Sequence, residues 1–315
     1  MSDVTLQGGA RAVPQADVQG QAKRRRSNLI GLGFVLPFLI FYVAFLIWPV
    51  LLGLRMSFFN WTLSGLGSSD FLGLSNYQEL FGDVDFWKSL GITLLFTIIS
   101  TPLLVLIALG LALLVNRAIP AQSTFRTIFF APFVMPVSVV ALIWNWLYQP
   151  GFGLINGILT GIGLKEVNWL SDPGIALISV VLLTVWWTIG FNFVLYLAGM
   201  QQIPVDLNEA ASLDGAGPWA RIRSITIPLL APTTTVVVIL QIIASLQIFN
   251  QAYLLFGGTG GPNYSTRGLV QYIYDQGFTG YRVGYASAMS YVLFIIVLIV
   301  AVGQFVALTR QRKAA

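Results

Sequence analysis

Long apolar runs alternate with short polar ones along most of the chain. Six runs reach the ~20 residues a helix needs to cross a bilayer. They lie at about Leu29–Met56, Leu90–Asn116, Thr127–Tyr148, Ile175–Met200, Ile225–Phe256 and Tyr285–Leu308. The pattern predicts an all-α, polytopic membrane protein with six transmembrane helices. Prolines 37, 102, 132, 136, 228 and 232 interrupt the runs. In lipid, the backbone groups a proline leaves unpaired must be met by neighbouring helices, so the spans are expected to pack as a bundle. Residues 1–28 are polar and read as a flexible tail. Residues 29–309 form the membrane domain, and 310–315 a second short tail. The first run is too long for a cleaved signal peptide.

Composition strengthens this reading. The 315 residues are 56% hydrophobic and 9% charged, against about 25% charged in soluble chains. Cysteine and histidine are both absent. That removes disulfides, thiolate chemistry, imidazole bases and imidazole metal ligands. No catalytic constellation and no metal site is expected, and nothing points to nucleic acid.

Charge gives the orientation. Twelve Lys and Arg fall on one side of the six spans: Arg11, Lys23 to Arg26, Arg117, Arg126, Arg221, Arg223, Arg310, Arg312 and Lys313. Five fall on the other: Arg55, Lys88, Lys165, Arg267 and Arg282. The positive-inside rule places both termini in the cytoplasm. No charged residue lies deep in a span, so an ion-coupled carrier would lack the intramembrane acid it commonly uses. The glycine-rich FGGTGGPNYST, Phe256–Thr266, has no lysine to reach a phosphate and is expected to be a flexible outer turn. Asp83 and Asp85 are expected to be solvated surface charges.

Two spans carry polar stripes. At helical spacing Thr184, Trp187, Thr188 and Phe191 share one face, with Asn192 beside it. Gln241, Ser245, Ile248 and Ala252 share another, flanked by Phe249. Amide and hydroxyl groups beside flat aromatic rings suit a sugar. Packing between helices is the competing reading, because Ser, Thr, Asn and Gln often bridge membrane helices. Trp144, Trp146 and Tyr148 are expected in an interfacial aromatic belt.

Between the fourth and fifth runs stands QQIPVDLNEAASLDGAGPWARIRSITIP. Pro204 can open a helix and Gly215 can end it in the left-handed conformation. Pro218 can start a second short helix. Ala210 and Ala211 leave a small face that a partner could approach. An interfacial amphipathic connector is the plainer alternative.

The spacing of this stretch resembles the EAA loop of binding-protein-dependent ABC transporter permeases. Glu209, Ala210 and Ala211 are followed by Gly215, within Asp214-Gly215-Ala216, and then by Ile225, Ile227 and Pro228. Ile227 departs from the usual Leu, and Ile222 stands where many sugar permeases have Phe. FLGLSNYQELFGDVDFWKSL, PVSVVALIWNWLYQPGFGLIN and GGPNYST are similar to stretches of sugar permeases of the maltose, glycerol-3-phosphate and trehalose type. Among these the chain resembles the first permease of a heteromeric pair. Ile92, where an Asn is frequent, and the extended GGTGGP turn are departures.

The resemblance implies a transport subunit of the bacterial or archaeal inner membrane that is not itself an enzyme. An extracytoplasmic binding protein would deliver the sugar, and a second EAA-bearing permease would complete the path. Two ATPase subunits, holding ATP and Mg, would seat the cytoplasmic EAA loop of residues 204–228 with its coupling helix. Glu209, Ala210, Ala211, Asp214, Gly215, Ala216 and Pro228 would couple to the ATPase. Thr184, Trp187, Thr188, Phe191, Gln241 and Ser245 would line the path of a neutral mono-, di- or oligosaccharide. An anionic substrate is disfavoured unless the second permease supplies a counter-charge. An ion-coupled carrier or a channel for a small polar solute is the alternative.

Overall fold

The computed structural model describes residues 34–62, 70–116 and 122–314, without the side chains of Gln122 and residues 307–314. The chain divides into two units, residues 1–55 and 56–315. In the first, the described residues form most of α1, Phe34–Met56, an apolar helix long enough to span a bilayer. Residues 29–33 of the predicted first span, and the tail 1–28, lie outside the described residues.

The second unit is built on α3, Val84–Val115, and α7, Ala176–Met200. At 1.5 Å per residue these measure about 48 and 37 Å, each more than the ~30 Å hydrocarbon core. α3 starts six residues before its predicted boundary because Asp83 caps it: the carboxylate accepts from the Asp85 amide at 2.8 Å. The short α2, Ser75–Gly82, precedes it. The last span belongs to α13, Val283–Ala314, whose helix continues past the predicted end at Leu308.

The third predicted span is not one rod. α4, Gln122–Val134, and α5, Val137–Leu147, meet at 98°. Pro136 has no N–H to donate and disfavours a helical Met135. The freed Met135 carbonyl accepts from the Trp187 indole at 3.2 Å. Beyond α5, α6 is Leu154–Gly161.

The fifth predicted span is broken twice. Around Leu230, two residues ahead of Pro232, α9, Pro218–Leu229, and α10, Ala231–Leu246, meet at 63°. The chain breaks again at Gln247–Phe249 before α11, Asn250–Leu255. Counting each bent pair as one span gives six crossings among the described residues.

Three buried apolar clusters hold the unit. Leu104, Ala108, Phe193, Tyr196 and Val237 join α3, α7 and α10. Phe96, Val140, Tyr148, Leu183 and Ala252 join α3, α5, α7 and α11. Leu80, Phe86, Leu269, Tyr285 and Met289 join α2, α3, α13 and α12, Leu269–Tyr274. Trp144 and Tyr148 are therefore buried, with the Tyr148 hydroxyl donating to the Ser179 carbonyl at 2.8 Å, and do not form the belt expected of them. Trp146 alone of that trio is exposed. Gly190 sets the α4–α7 approach: a Cβ there would lie 2.3 Å from the Phe129 carbonyl oxygen.

Candidate functional site

A cavity of about 250 Å³ opens between α3, α4, α7 and α10–α11. Thr184, Thr188, Phe191, Gln241 and Ser245 all line it, so five of the six residues placed on the path by spacing converge. The helical period accounts for this, since residues three and four apart share a face. Trp187 is the exception. It packs with the second apolar cluster, and its indole nitrogen is committed to the α4–α5 break.

The lining is neutral and ordered by hydrogen bonds. Asn192 donates to Gln241 Oε1 at 3.2 Å, and Gln241 Nε2 donates to Ser245 Oγ at 3.1 Å. Ser100 Oγ lies 3.3 Å from Ser245 Oγ and extends the chain into α3. Thr184 and Thr188 donate to the Val180 and Thr184 carbonyls of their own helix, at 2.8 and 2.7 Å. Their hydroxyl protons are spent, so both offer acceptor lone pairs to a visitor. Phe133 and Phe191 stack with centroids 5.3 Å apart and present an apolar plate. Amide partners, hydroxyl acceptors and an aromatic plate thus meet in one cavity.

Gln251 also lines the cavity, and its side chain makes no hydrogen bond among the described residues. A continuous fifth helix would not single out this position. It arrives because the chain breaks at Gln247–Phe249, where no proline or glycine signals a stop. Asn192 was expected beside the stripe, and it is a buried member of the lining.

The elbow folds as its residues dictate. α8, Val205–Leu213, starts after Pro204 and ends at Asp214. Gly215 takes φ +81°, a region strained for residues with a Cβ. Its turn closes with the Ala216 amide donating to the Ala211 carbonyl at 2.8 Å. Pro218 opens α9, and Arg221 reaches the Asn208 carbonyl at 3.5 Å. α8 buries none of its residues. Glu209, Ala210, Asp214, Gly215 and Pro228 are exposed, and Ala211 and Ala216 are half-buried. Leu213 is 91% exposed and Trp219 71%.

At the opposite end of α3 the acids are not simply solvated. Asp83 accepts from the Tyr272 and Tyr285 hydroxyls at 2.5 and 2.6 Å. Burial pushes its carboxyl up, but these bonds and the Asp85 and Phe86 amides outweigh burial and hold it below the ordinary value. The Tyr272 phenol is raised, first by burial and then by its bond to Asp83. Asp85 lies 3.3 Å from the guanidinium of Arg267. The expected solvated pair is instead a bonded hub joining α3, α12 and α13. The FGGTGGPNYST segment is a wound turn, with Gly257, Gly258, Gly260 and Gly261 all at positive φ.

Apolar helices of spanning length, a polar cavity between α3, α4, α7 and α10–α11 and an exposed elbow define a membrane permease subunit. The chain belongs to the family of binding-protein-dependent transport system inner membrane components, whose profile matches residues 105–314. It is thus a transport component of an inner membrane, not an enzyme. It is 35% identical over 274 residues to the trehalose/maltose transport system permease protein MalF of Thermococcus litoralis, covering 87% of this chain and 91% of that one. It is 34% identical over 267 residues to the sulfoquinovosyl glycerol transport system permease protein SmoG of Agrobacterium fabrum, covering 85% and 86%. A solved bacterial ABC transporter involved in import of the acidic polysaccharide alginate superposes with TM-score 0.80 at 25% identity, covering 92% of this chain and 98% of that one.

Proposed function

We propose that the chain is one permease subunit of an ATP-driven importer that carries a sugar handed over by an extracytoplasmic binding protein. The observation that carries this is the central cavity: neutral hydrogen-bonding groups converge with the Phe133–Phe191 plate in a member of this family. Sugar hydroxyls match the Asn192, Gln241, Ser245 and Gln251 groups, and C–H faces match the rings. The names of the relatives, which include trehalose/maltose and sulfoquinovosyl glycerol, support carbohydrate as the substrate class. A second permease would close the open side of the cavity.

The elbow is the coupling element in this reading. Two ATPase subunits would hold ATP and Mg and receive α8 and α9 from the cytoplasm, covering Leu213 and Trp219. Glu209 would face the ATPase, while Gly215 fixes the angle between the two short helices. Closure of the ATPase pair would then move α9 and, through the bend at Leu230, the Gln241 side of the cavity. Both termini lie in the cytoplasm, in keeping with the twelve-to-five distribution of cations.

The test is reconstitution of the permease pair in proteoliposomes, with and without the ATPase subunits and the binding protein. Accumulation should require ATP, both ATPase copies and the receptor. Accumulation driven by an ion gradient through this chain without the ATPase would overturn the reading in favour of an ion-coupled carrier.

A further inference from the structure

A second cavity, of about 310 Å³, lies at the Asp83 end of α3. Asp85, Lys88, Ser89, Ile92 and Leu95 of α3 line it, together with Tyr264, Ser265 and Arg267 of the turn before α12. Its polar groups are incompletely paired. Arg267 is only 8% exposed, and its guanidinium lies over the Tyr264 and Tyr272 rings at 4.2 and 4.8 Å. One edge meets Asp85 at 3.3 Å, while Nε is buried with no partner among the described residues. Among the described residues the buried Oγ of Ser89, itself 1% exposed, has no partner either, nor has that of Ser265. Buried donors without partners are rare in folded proteins, and each calls for an occupant that completes it.

We propose that this cavity is a receiving subsite for the carboxylate or sulfonate of an acidic sugar. Lys88 and Arg267 against Asp85 leave the lining with one net positive charge, which a monoanion balances. Arg267 Nε and the Ser89 and Ser265 hydroxyls are sealed from the cavity as they stand; rotation of these side chains on binding would turn them to the oxyanion, in bonds that a charged partner strengthens. Ile92, Leu95 and Tyr264 offer apolar surface to the ring that bears it. Phe96, in the lining of the central cavity, is seven residues beyond Ser89 along the same helix, about 10 Å at helical rise. The counter-charge missing from the spans is thereby supplied by this chain at the mouth of the path, and the sugar reaches the neutral cavity next. The inference rests on the sugar-importer reading and adds the charge class of its substrate.

The experiment titrates the complete transporter in nanodiscs, without ATP or binding protein, with glucuronate, glucose and inorganic sulfate, following the thermal unfolding midpoint. Glucuronate should give a saturable rise, glucose none at the same concentration, and sulfate should bind at least tenfold more weakly than glucuronate. Lys88 is well exposed, so Lys88→Glu should fold while reversing the charge of the lining, and should weaken glucuronate at least tenfold. Ser265→Ala should weaken it less, without affecting the unliganded midpoint. Glucose binding as tightly as glucuronate overturns the proposal, as does undiminished glucuronate affinity in Lys88→Glu. Sulfate matching glucuronate overturns it too, since the site would then hold a free anion and no sugar. Failure here with ATP-dependent uptake of a neutral sugar intact removes the subsite alone. Glucuronate binding without ATP-dependent uptake of any sugar removes the importer reading instead.

Discussion

Replacing Gly190 by valine forces α4 and α7 apart. The first added carbon would lie 2.3 Å from the Phe129 carbonyl oxygen and 2.8 Å from Phe130 Cα. Both are backbone atoms, so no side-chain rotation relieves the clash. Carbon and carbonyl oxygen ordinarily approach to about 3.3 Å, so the helices must separate by about 1 Å. A gap of that size forfeits up to half of each dispersion contact across the seam. The Phe129–Phe193 contact, at 5.5 Å, and the Phe133–Phe191 stack, at 5.3 Å, both cross it. Overpacking of this kind costs about 1–3 kcal/mol, offset by a few tenths because valine is a better helix former than glycine. For a unit of this size each kcal/mol lowers the melting midpoint by about 2–4 °C. Gly157→Ala is the control, since among the described residues no atom beyond its own helix backbone and chain neighbours lies within 4 Å of its added carbon. Thermal unfolding of the detergent-solubilised complex should show Gly190→Val destabilised and Gly157→Ala unchanged or slightly stabilised. Because Phe133 and Phe191 also line the central cavity, Gly190→Val should impair sugar uptake as well. A Gly190→Val protein with the parent's midpoint and uptake would refute the close-packed α4–α7 seam.

Three other outcomes are expected. Glu209→Lys should abolish ATP-driven uptake in proteoliposomes while membrane insertion and thermal stability stay intact, because Glu209 is exposed and α8 buries nothing; unchanged transport removes the coupling role. Gln241→Leu strands the Asn192 amide in a buried site and leaves Ser245 with Ser100 alone, which should cost about 1–3 kcal/mol in thermal unfolding and reduce uptake, so a stable and fully active variant argues against the hydrogen-bonded lining. Asp83→Asn should cost about 1 kcal/mol, a modest figure because the group is partly exposed. The folded carboxyl lies below its unfolded value of about 3.9, so its contribution is present above about pH 4 and fades as pH falls through the folded value. The variant should therefore lose less stability than the parent on acidification from pH 5 to pH 3, as followed by unfolding midpoints.

The stripe Thr184, Thr188, Phe191 and the pair Gln241, Ser245 were legible because both arise from the helical period within an unbroken stretch of helix. Trp187 shares that period but turns to the Met135 carbonyl, a demand created by the Pro136 break in another element. Gln251 escaped because the Gln247–Phe249 break carries no local signal. Asp83 looked like a surface charge because its partners, Tyr272 and Tyr285, lie 189 and 202 residues away. A similar distance hid the burial of Arg267 against Asp85.

By itself the sequence determined the class, the apolar runs and the elbow. Hydrocarbon demands ~20-residue apolar helices, and Pro204, Gly215 and Pro218 fix local dihedrals whatever surrounds them. Tertiary structure decided how sharply the proline-marked spans bend, which side of each stripe meets a cavity, and which charges find partners. Those depend on separations between elements, set by packing at sites such as Gly190, and no local propensity encodes them.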